Sequence, residues 1–389
     1  MYVPHKKPLF RKDDHSSRPY RIVVLLVLII LVLFMLQGIS QGSVIPLLMA
    51  TPTPTRTVGS YVEEGETHFI AGNLDKSLEA FQRAAEVDPN DINLWVELAR
   101  IQVYSSSLIT TDEAKHTRLN EALGSIDKAI EINAEDSTAH AVRAFVLDWL
   151  ANPGLVGDEW QALLTEAEQE AVTALQLDNQ NTLALAYYAE ILVDQQKWVQ
   201  ADKNIHEAVQ RDPSIMDVRR INAYVQESLG NYSEAITEYK RAVEINPNLT
   251  FLYLAIGANY RKLKQYDLAL TYFDKAANIN EQLNIKDPIP YLSIAKTYVQ
   301  MGQFFSAGIN ARKGLQYSPD NPDVYGQLGI IYFKARNYEG AIPALKCALR
   351  GCTSEESCEV RQCNPETDPM IPIEGLPLTA NTVVYYFTY

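Results

Sequence analysis

Apolar positions along this chain follow two regimes. From Ile22 to Leu36 fifteen consecutive residues are apolar, with no polar stripe to mark a solvent side. Beyond residue 58 large apolar residues recur three or four positions apart, as in Tyr253, Ile256, Tyr260 and then Tyr266, Leu270, Phe273, the spacing of one helix face. Pro89, Pro213, Pro247 and Pro319 close such runs, and Gly72, Gly230 and Gly302 mark tight turns between them. The pattern predicts an all-α chain of short helices in pairs.

Slid against itself, the second regime repeats at a period of 34. One series of small residues reads Gly65, Ala99, Ala144, Ala189, Ala223, Gly257, Ala295, Gly329. A second follows twelve positions later in the regular units (Ser77, Ala122, Ala167, Ala201, Ala235, Ala269, Ala307, Ala341), and a third seven beyond that (Ala84, Ala129, Ala174, Ala208, Ala242, Ala276, Gly314, Ala348). Small residues at fixed places let two backbones approach while Tyr, Leu and Phe of the facing helix fill the gap. Units two and three each carry eleven extra residues between their first and second small positions. Tolerated loop growth is the expected reason, ahead of a contact site. Unit six gains four residues before Pro288, read as a longer link.

These positions resemble the tetratricopeptide repeat, whose pattern runs W-x2-L-G-x2-Y, then A-x3-F, then A and P. The sixth unit, with Tyr253, Ile256, Gly257, Tyr260, Ala269, Phe273 and Ala276, lies close to that pattern, and the eighth follows through Tyr325, Leu328, Gly329, Tyr332, Ala341 and Leu345. The resemblance covers residues 58–355 as about eight units and implies a superhelical solenoid that binds proteins along its concave side. It also places first-helix residues on that inner wall. The N-terminal half would be apolar and acidic, with Val62, Glu66, Phe69, Ile70, Asp148, Trp149, Glu190, Val193 and Asp194; the C-terminal half would offer Arg220, Tyr224, Arg261, Lys262, Lys296, Phe333 and Lys334 to an acidic or carboxylate-bearing segment. A solvated face is the competing account of the same charges. No unit supplies the Lys or Arg with Asn by which co-chaperones of the family grip a terminal carboxylate.

The first regime decides where the body sits. Fifteen residues rise only ~22 Å as a helix, short of a ~30 Å hydrocarbon layer; extension to Ile45 makes 22–45 long enough for a single-pass transmembrane anchor. Six cations precede it within residues 1–21, so the positive-inside bias keeps that tail cytoplasmic and the repeat body outside the cytoplasm. A cleaved signal peptide, with Gly38-Ile39-Ser40 or Ser40-Gln41-Gly42 at the cleavage site, exports the body equally. Residues 46–57, with Thr51-Pro52-Thr53-Pro54-Thr55, make a stiff extended spacer.

Charge then restricts the partners. Lys and Arg number 34 against 48 Asp and Glu, a net of −14, and the basic tail carries +4 of its own, which leaves −18 for the remainder. Such a body repels phosphate backbones, so no nucleic-acid partner is expected. Catalysis is not expected either. The six histidines (His5, His15, His68, His116, His140, His206) are dispersed, and no Gly-x-Ser-x-Gly, phosphate loop, dinucleotide fingerprint or zinc-protease helix occurs. No cofactor or metal is implied.

Cys347, Cys352, Cys358 and Cys363 are the four cysteines of the chain, clustered near its end. In an exported chain an even cluster reads as two disulfides among three pairings, with a four-thiolate zinc site and free thiols as rivals. Residues 356–389 form a Cys- and Pro-rich tail ending in Tyr385-Tyr386-Phe387-Thr388-Tyr389, which either folds back on the last unit or begins a ninth repeat. The sequence thus looks like a membrane-anchored bacterial envelope protein of the tetratricopeptide type, a non-enzymatic scaffold for protein or extended-peptide partners. The alternative is an accessory, substrate-recognition subunit of an envelope glycosyltransferase or hydrolase whose catalytic chain is separate.

Overall fold

The computed structural model describes residues 19–40 and 56–389, and the chain divides into two units at Arg56. In the first, α1 runs from Pro19 to Ser40. Every side chain from Ile22 to Met35 is half or more exposed, so no face of α1 is reserved for a protein core. Its apolar run stops at Leu36, and among the described residues no helix is long and apolar enough to cross a membrane. The expected span 22–45 is therefore not supported as drawn: positions 41–45 lie outside the described residues, as do residues 1–18 and the spacer up to 55.

The second unit contains eight antiparallel helix pairs, the number the period implies. They are α2 (Val58–Ile70) with α3 (Leu74–Val87), α4 (Ile92–Ser106) with α5 (Asp112–Ile132), and α6 (Ser137–Leu150) with α8 (Trp160–Leu177), the last two separated by the short α7 (Pro153–Val156). Then come α9 (Thr182–Asp194) with α10 (Trp198–Arg211), α11 (Met216–Ser228) with α12 (Tyr232–Ile245), and α13 (Thr250–Lys262) with α14 (Tyr266–Leu283). The array ends with α15 (Ile289–Gln300) and α16 (Phe304–Tyr317), α17 (Pro322–Lys334) and α18 (Tyr338–Arg350), followed by α19 (Ser354–Arg361) and α20 (Val383–Thr388).

The small-residue series has a direct steric cause. A Cβ built on Gly65 would lie 2.6 Å from Phe81, one on Gly257 2.5 Å from Phe273, and one on Gly329 2.5 Å from Leu345. In each case the large residue is sixteen positions later, on the second helix of the same pair. Where the series holds alanine, at Ala99, Ala144, Ala189, Ala223 and Ala295, the residue is wholly buried. Turns inside the pairs need a left-handed residue: Gly72, Gly230 and Gly302 adopt φ of 81°, 82° and 76°. In units four, six and eight Gln196, Lys264 and Arg336 take the same place at φ of 62°, 59° and 59°, a conformation that costs an L-residue roughly 1–2 kcal/mol.

The winding is tighter than an open solenoid. Inner helices of units one to six meet across the axis: Tyr104 and Phe145 pack with ring centroids 5.5 Å apart, Phe145 stacks on Tyr187 at 4.5 Å, and Tyr104 stacks on Phe251 at 5.1 Å. Tyr104, Phe145 and Tyr187 have no exposed surface, and Phe69 only 8%. Asn248, in the link into unit six, donates to the Ile70 carbonyl of unit one at 3.0 Å. The inner wall expected to be open to a partner along its whole length is corrected here, because aromatic side chains from opposite walls fill much of its N-terminal half.

Cysteines pair with their near neighbours, Cys347 with Cys352 and Cys358 with Cys363, so the four sulfurs fasten α18 and α19 to the segments that follow them. The tail then folds back and starts no ninth repeat. Cys352 and Ile373 form an antiparallel bridge, and Tyr385 packs so closely on Gly326 that a Cβ there would lie 2.7 Å from its ring. Further along, Thr379 and Asn381 donate to the Asp112 carboxylate at 3.3 and 3.0 Å, and Asn321 donates to Thr110. Thr110 and Asp112 belong to the extra residues of unit two, so that insertion is more than tolerated loop growth: it receives the strap that crosses from the last unit.

Close packing and open space give opposite signs to one substitution. Gly257→Ala forces a methyl against the buried Phe273 ring and is expected to lower stability by about 1–3 kcal/mol. Gly124→Ala, inside α5 with no atom within 4 Å of its Cβ position, is expected to raise it by about 0.5–1 kcal/mol. Denaturant midpoints of the two variants check both directions.

Candidate functional site

At the middle of the inner wall lies a buried polar cluster built by four first helices. Asp217 on α11 accepts hydrogen bonds from Tyr104 of α4 and from Tyr187 of α9 (2.7 Å), and its second oxygen takes Arg100 of α4 at 3.0 Å. One turn along α11, Arg220 donates through both terminal nitrogens to Glu190 of α9, at 2.8 and 2.6 Å. The Arg220 guanidinium lies over the rings of Phe145 (5.3 Å), Tyr104 (5.5 Å) and Trp149 (6.0 Å). Burial pushes the Asp217 carboxyl upward, yet the two guanidiniums and both tyrosine hydroxyls outweigh it and hold the group below its ordinary value.

This cluster revises the sequence-based assignment. Arg220 is only 6% exposed and neutralised by Glu190, so it is a component of the closed wall and not a cation offered to a partner. Tyr224 is likewise engaged, donating to Asp194 at 2.5 Å. Asp217 was missed by sequence reasoning. Its only signal is a charged residue on the helix face that the repeat buries, three positions before Arg220, the nearest residue assigned to the groove.

Beside the cluster is a cavity of about 420 Å³ bordered by Asp148, Trp149, Glu190, Asp194, Tyr224 and Phe251. Burial, and then the charges of Asp194 and Glu190, push the Asp148 carboxyl well above its ordinary value, with Arg220 offsetting only part. Burial chiefly, with Glu190, raises Asp194 to about 6 against the hydrogen bond from Tyr224. The acidic half expected from sequence therefore survives as this one cavity.

In the C-terminal half three of the predicted cations do converge. Arg261 at the end of α13, Lys296 on α15 and Lys334 at the end of α17 line a cavity of about 450 Å³ with Val299, Gln327 and Tyr385. Lys296 is exposed where it opens onto the cavity. Burial lowers its ammonium below the ordinary value, Asp323 restores part of that, and Arg261 and Lys334 depress it further. Asp323 is already committed, accepting from Tyr385 at 2.6 Å and from Gln327 at 2.7 Å. Among the described residues neither Lys296 nor Lys334 makes a hydrogen bond or ion pair, and Arg261 has only the Ser293 carbonyl at 3.3 Å and the Phe273 ring at 5.4 Å. Two predicted members fall outside: Lys262 is exposed and does not line the cavity, and Phe333 rests edge-on against Tyr338 at 5.9 Å.

Comparison with known proteins agrees with the fold. A tetratricopeptide repeat model matches residues 58–91 and 252–283, and a TPR repeat model matches residues 222–262. The chain is 29% identical over 126 residues to anaphase-promoting complex subunit 3 of Schizosaccharomyces pombe, covering 31% of this chain and 18% of that protein. It is 22% identical over 304 residues to the anaphase-promoting complex subunit CDC16 of Saccharomyces cerevisiae, covering 73% of this chain and 35% of that one. Each match thus spans about a third or less of these relatives. Among solved structures, the Cut9–Hcn1 hetero-tetramer of the same complex is similar in fold, with a TM-score of 0.52 at 14% identity over 80% of this chain and 54% of that one. The matched segments, residues 58–91 and 222–283, are tetratricopeptide repeats.

The raised carboxyls fix the sign of a pH effect. A group that binds its proton more tightly when folded adds stability at low pH and loses it as pH climbs through the folded value. Stability is therefore expected to decline between about pH 4 and pH 7 through Asp194 and Asp287, each raised to about 6, with Asp148 acting in the same direction. Asp148→Asn should flatten that decline, measured as denaturant midpoints across the range.

Proposed function

We propose that this chain of tetratricopeptide repeats is a membrane-tethered, extracytoplasmic scaffold that captures a carboxylate-rich extended segment of a protein partner in the Arg261–Lys296–Lys334 cavity. The observation that carries this reading is three cations gathered in one concavity, where the carboxylate that acts on Lys296, Asp323, is taken up by Tyr385 and Gln327. Like charges brought together at a cost in a partly desolvated site are favoured by an anion that bridges them. A body carrying −18 repels acidic chains at long range, so the cavity would act locally, on a few Asp or Glu side chains. With aromatic side chains filling much of the N-terminal half of the inner wall, the carboxylate-rich segment is taken up by these last units.

The tether rests on α1, whose apolar residues are exposed all round and are preceded in the sequence by six cations. Two disulfides in a chain with no other cysteine support an oxidising compartment for the repeat body. Nothing in the cavities resembles a nucleophile, base and oxyanion arrangement, and the reading is non-enzymatic.

A hexaglutamate peptide titrated into the full chain tests the cavity by fluorescence anisotropy. Lys296→Ala with Lys334→Ala is expected to weaken binding at least tenfold at unchanged helical content, Lys262→Ala to leave it within twofold, and added salt to weaken it steadily. Equal loss with Lys262→Ala would mean diffuse attraction and reject the cavity. Independently, carbonate extraction of cell membranes should leave the full chain in the pellet, while a chain starting at residue 56 should be released.

A further inference from the structure

The acidic cavity holds an unmet demand of its own. Asp148 is 5% exposed and lines the cavity, and its Oδ1 is buried with no hydrogen-bond partner among the described residues. The Glu190 carboxylate is taken by Arg220 and Trp149, whereas Asp194 accepts only from Tyr224. A buried carboxylate oxygen without a donor is costly, and a ligand that brings donors and positive charge removes the cost.

We propose that this cavity, lined from α6, α9, α11 and α13, is a binding site for an ammonium-bearing side chain, of lysine type, presented by a partner. Asp148 and Asp194 supply the opposing charge. Trp149, Tyr224 and Phe251 border the same space, and aromatic faces stabilise a cation set against them. At about 420 Å³ the cavity has room for such a side chain and its stem. A compact ammonium needs no fixed pair of acceptors, whereas a planar guanidinium sets its two-pronged donors against both oxygens of one carboxylate, and Asp194 has one of its oxygens taken by Tyr224. A metal ion fits less well, because no group of three His, Cys, Asp or Glu among the described residues could hold one.

The charged groups around Asp148 are Asp194 and Glu190 from α9 and Arg220 from α11, with Lys115 of α5 at the cavity wall. When the site is empty, Asp148 and Asp194 take up protons more readily than ordinary carboxyls. An incoming cation favours their charged forms, so binding releases protons and strengthens as pH rises. The lysine ammonium itself stays charged, its pKa being ~10.4. This site shares no residue with the Arg261–Lys296–Lys334 cavity, so the two proposals stand or fall separately.

Nα-acetyl-lysine methylamide is the probe, with the Nε-acetylated compound as the uncharged control, each titrated into the full chain at pH 5, 6.5 and 8 by calorimetry in two buffers of different ionisation heat. The expected result is saturable binding of the charged probe, at least tenfold tighter at pH 8 than at pH 5, with proton release, and at least tenfold weaker binding of the control. Asp148→Asn should weaken the charged probe tenfold or more; Asp194→Asn, at the more open carboxylate, serves should the first variant lose helical structure. Absence of saturable binding at every pH, equal binding of both compounds, a flat pH profile, or full retention of affinity in the folded variants would each overturn the assignment.

Discussion

Asp217 decides how tightly this array winds. Its carboxylate lies where water does not reach, and it remains ionised because Arg100, Tyr104 and Tyr187 arrive from two other units to surround it while Arg220 of its own helix adds a second positive charge. Remove any one and a buried charge or hydroxyl is left short of a partner, a loss of about 3–5 kcal/mol when a buried ion pair is broken on one side. Units two, four and five are therefore held at one mutual angle. Stacked rings of Tyr104, Phe145, Tyr187 and Phe251 fill the axis around that point. The small-residue grammar makes each pair of helices; this central cluster fixes the curvature of the stack.

That division explains what could be read from the chain alone. Contacts such as Gly65 with Phe81 or Gly257 with Phe273 recur at one separation within a unit, so the period of 34 exposes them, along with the turns at Gly72, Gly230 and Gly302. Asp217 with Tyr104 spans 113 residues and Asn248 with Ile70 spans 178, and each occurs once. A contact without repetition leaves no periodic trace. For that reason Arg220 was assigned to an open wall when its own helix placed it inward, and the inner wall was drawn as open along its whole length.

The basic residues show the same limit from the other side. Arg261, Lys296 and Lys334 were legible because each is a cation in the second half of a first helix. Lys262 holds the same repeat position as Lys334, five past Gly257 and Gly329, and Phe333 the same as Arg261, four past, so repeat position alone does not tell which side chain enters the cavity. Tyr385, which completes the cavity, comes from a tail with no repeat pattern at all. Its aromatic ending was visible as an anomaly, and Gly326 is the groove that accepts it.

An unbraced stack of helical pairs behaves as a spring whose outermost turns fray first, since each end lacks a neighbour on one side. The strap from Thr379 and Asn381 to Asp112 removes that freedom by tying the last turn to the second. Elastic breathing of the coil and melting inward from the C-terminal end are both suppressed by a connection that touches neither cavity wall of the acidic site. Mechanically, the repeat unit is a clasped ring rather than an extensible coil, and load applied at its last turn is shared across the whole circumference.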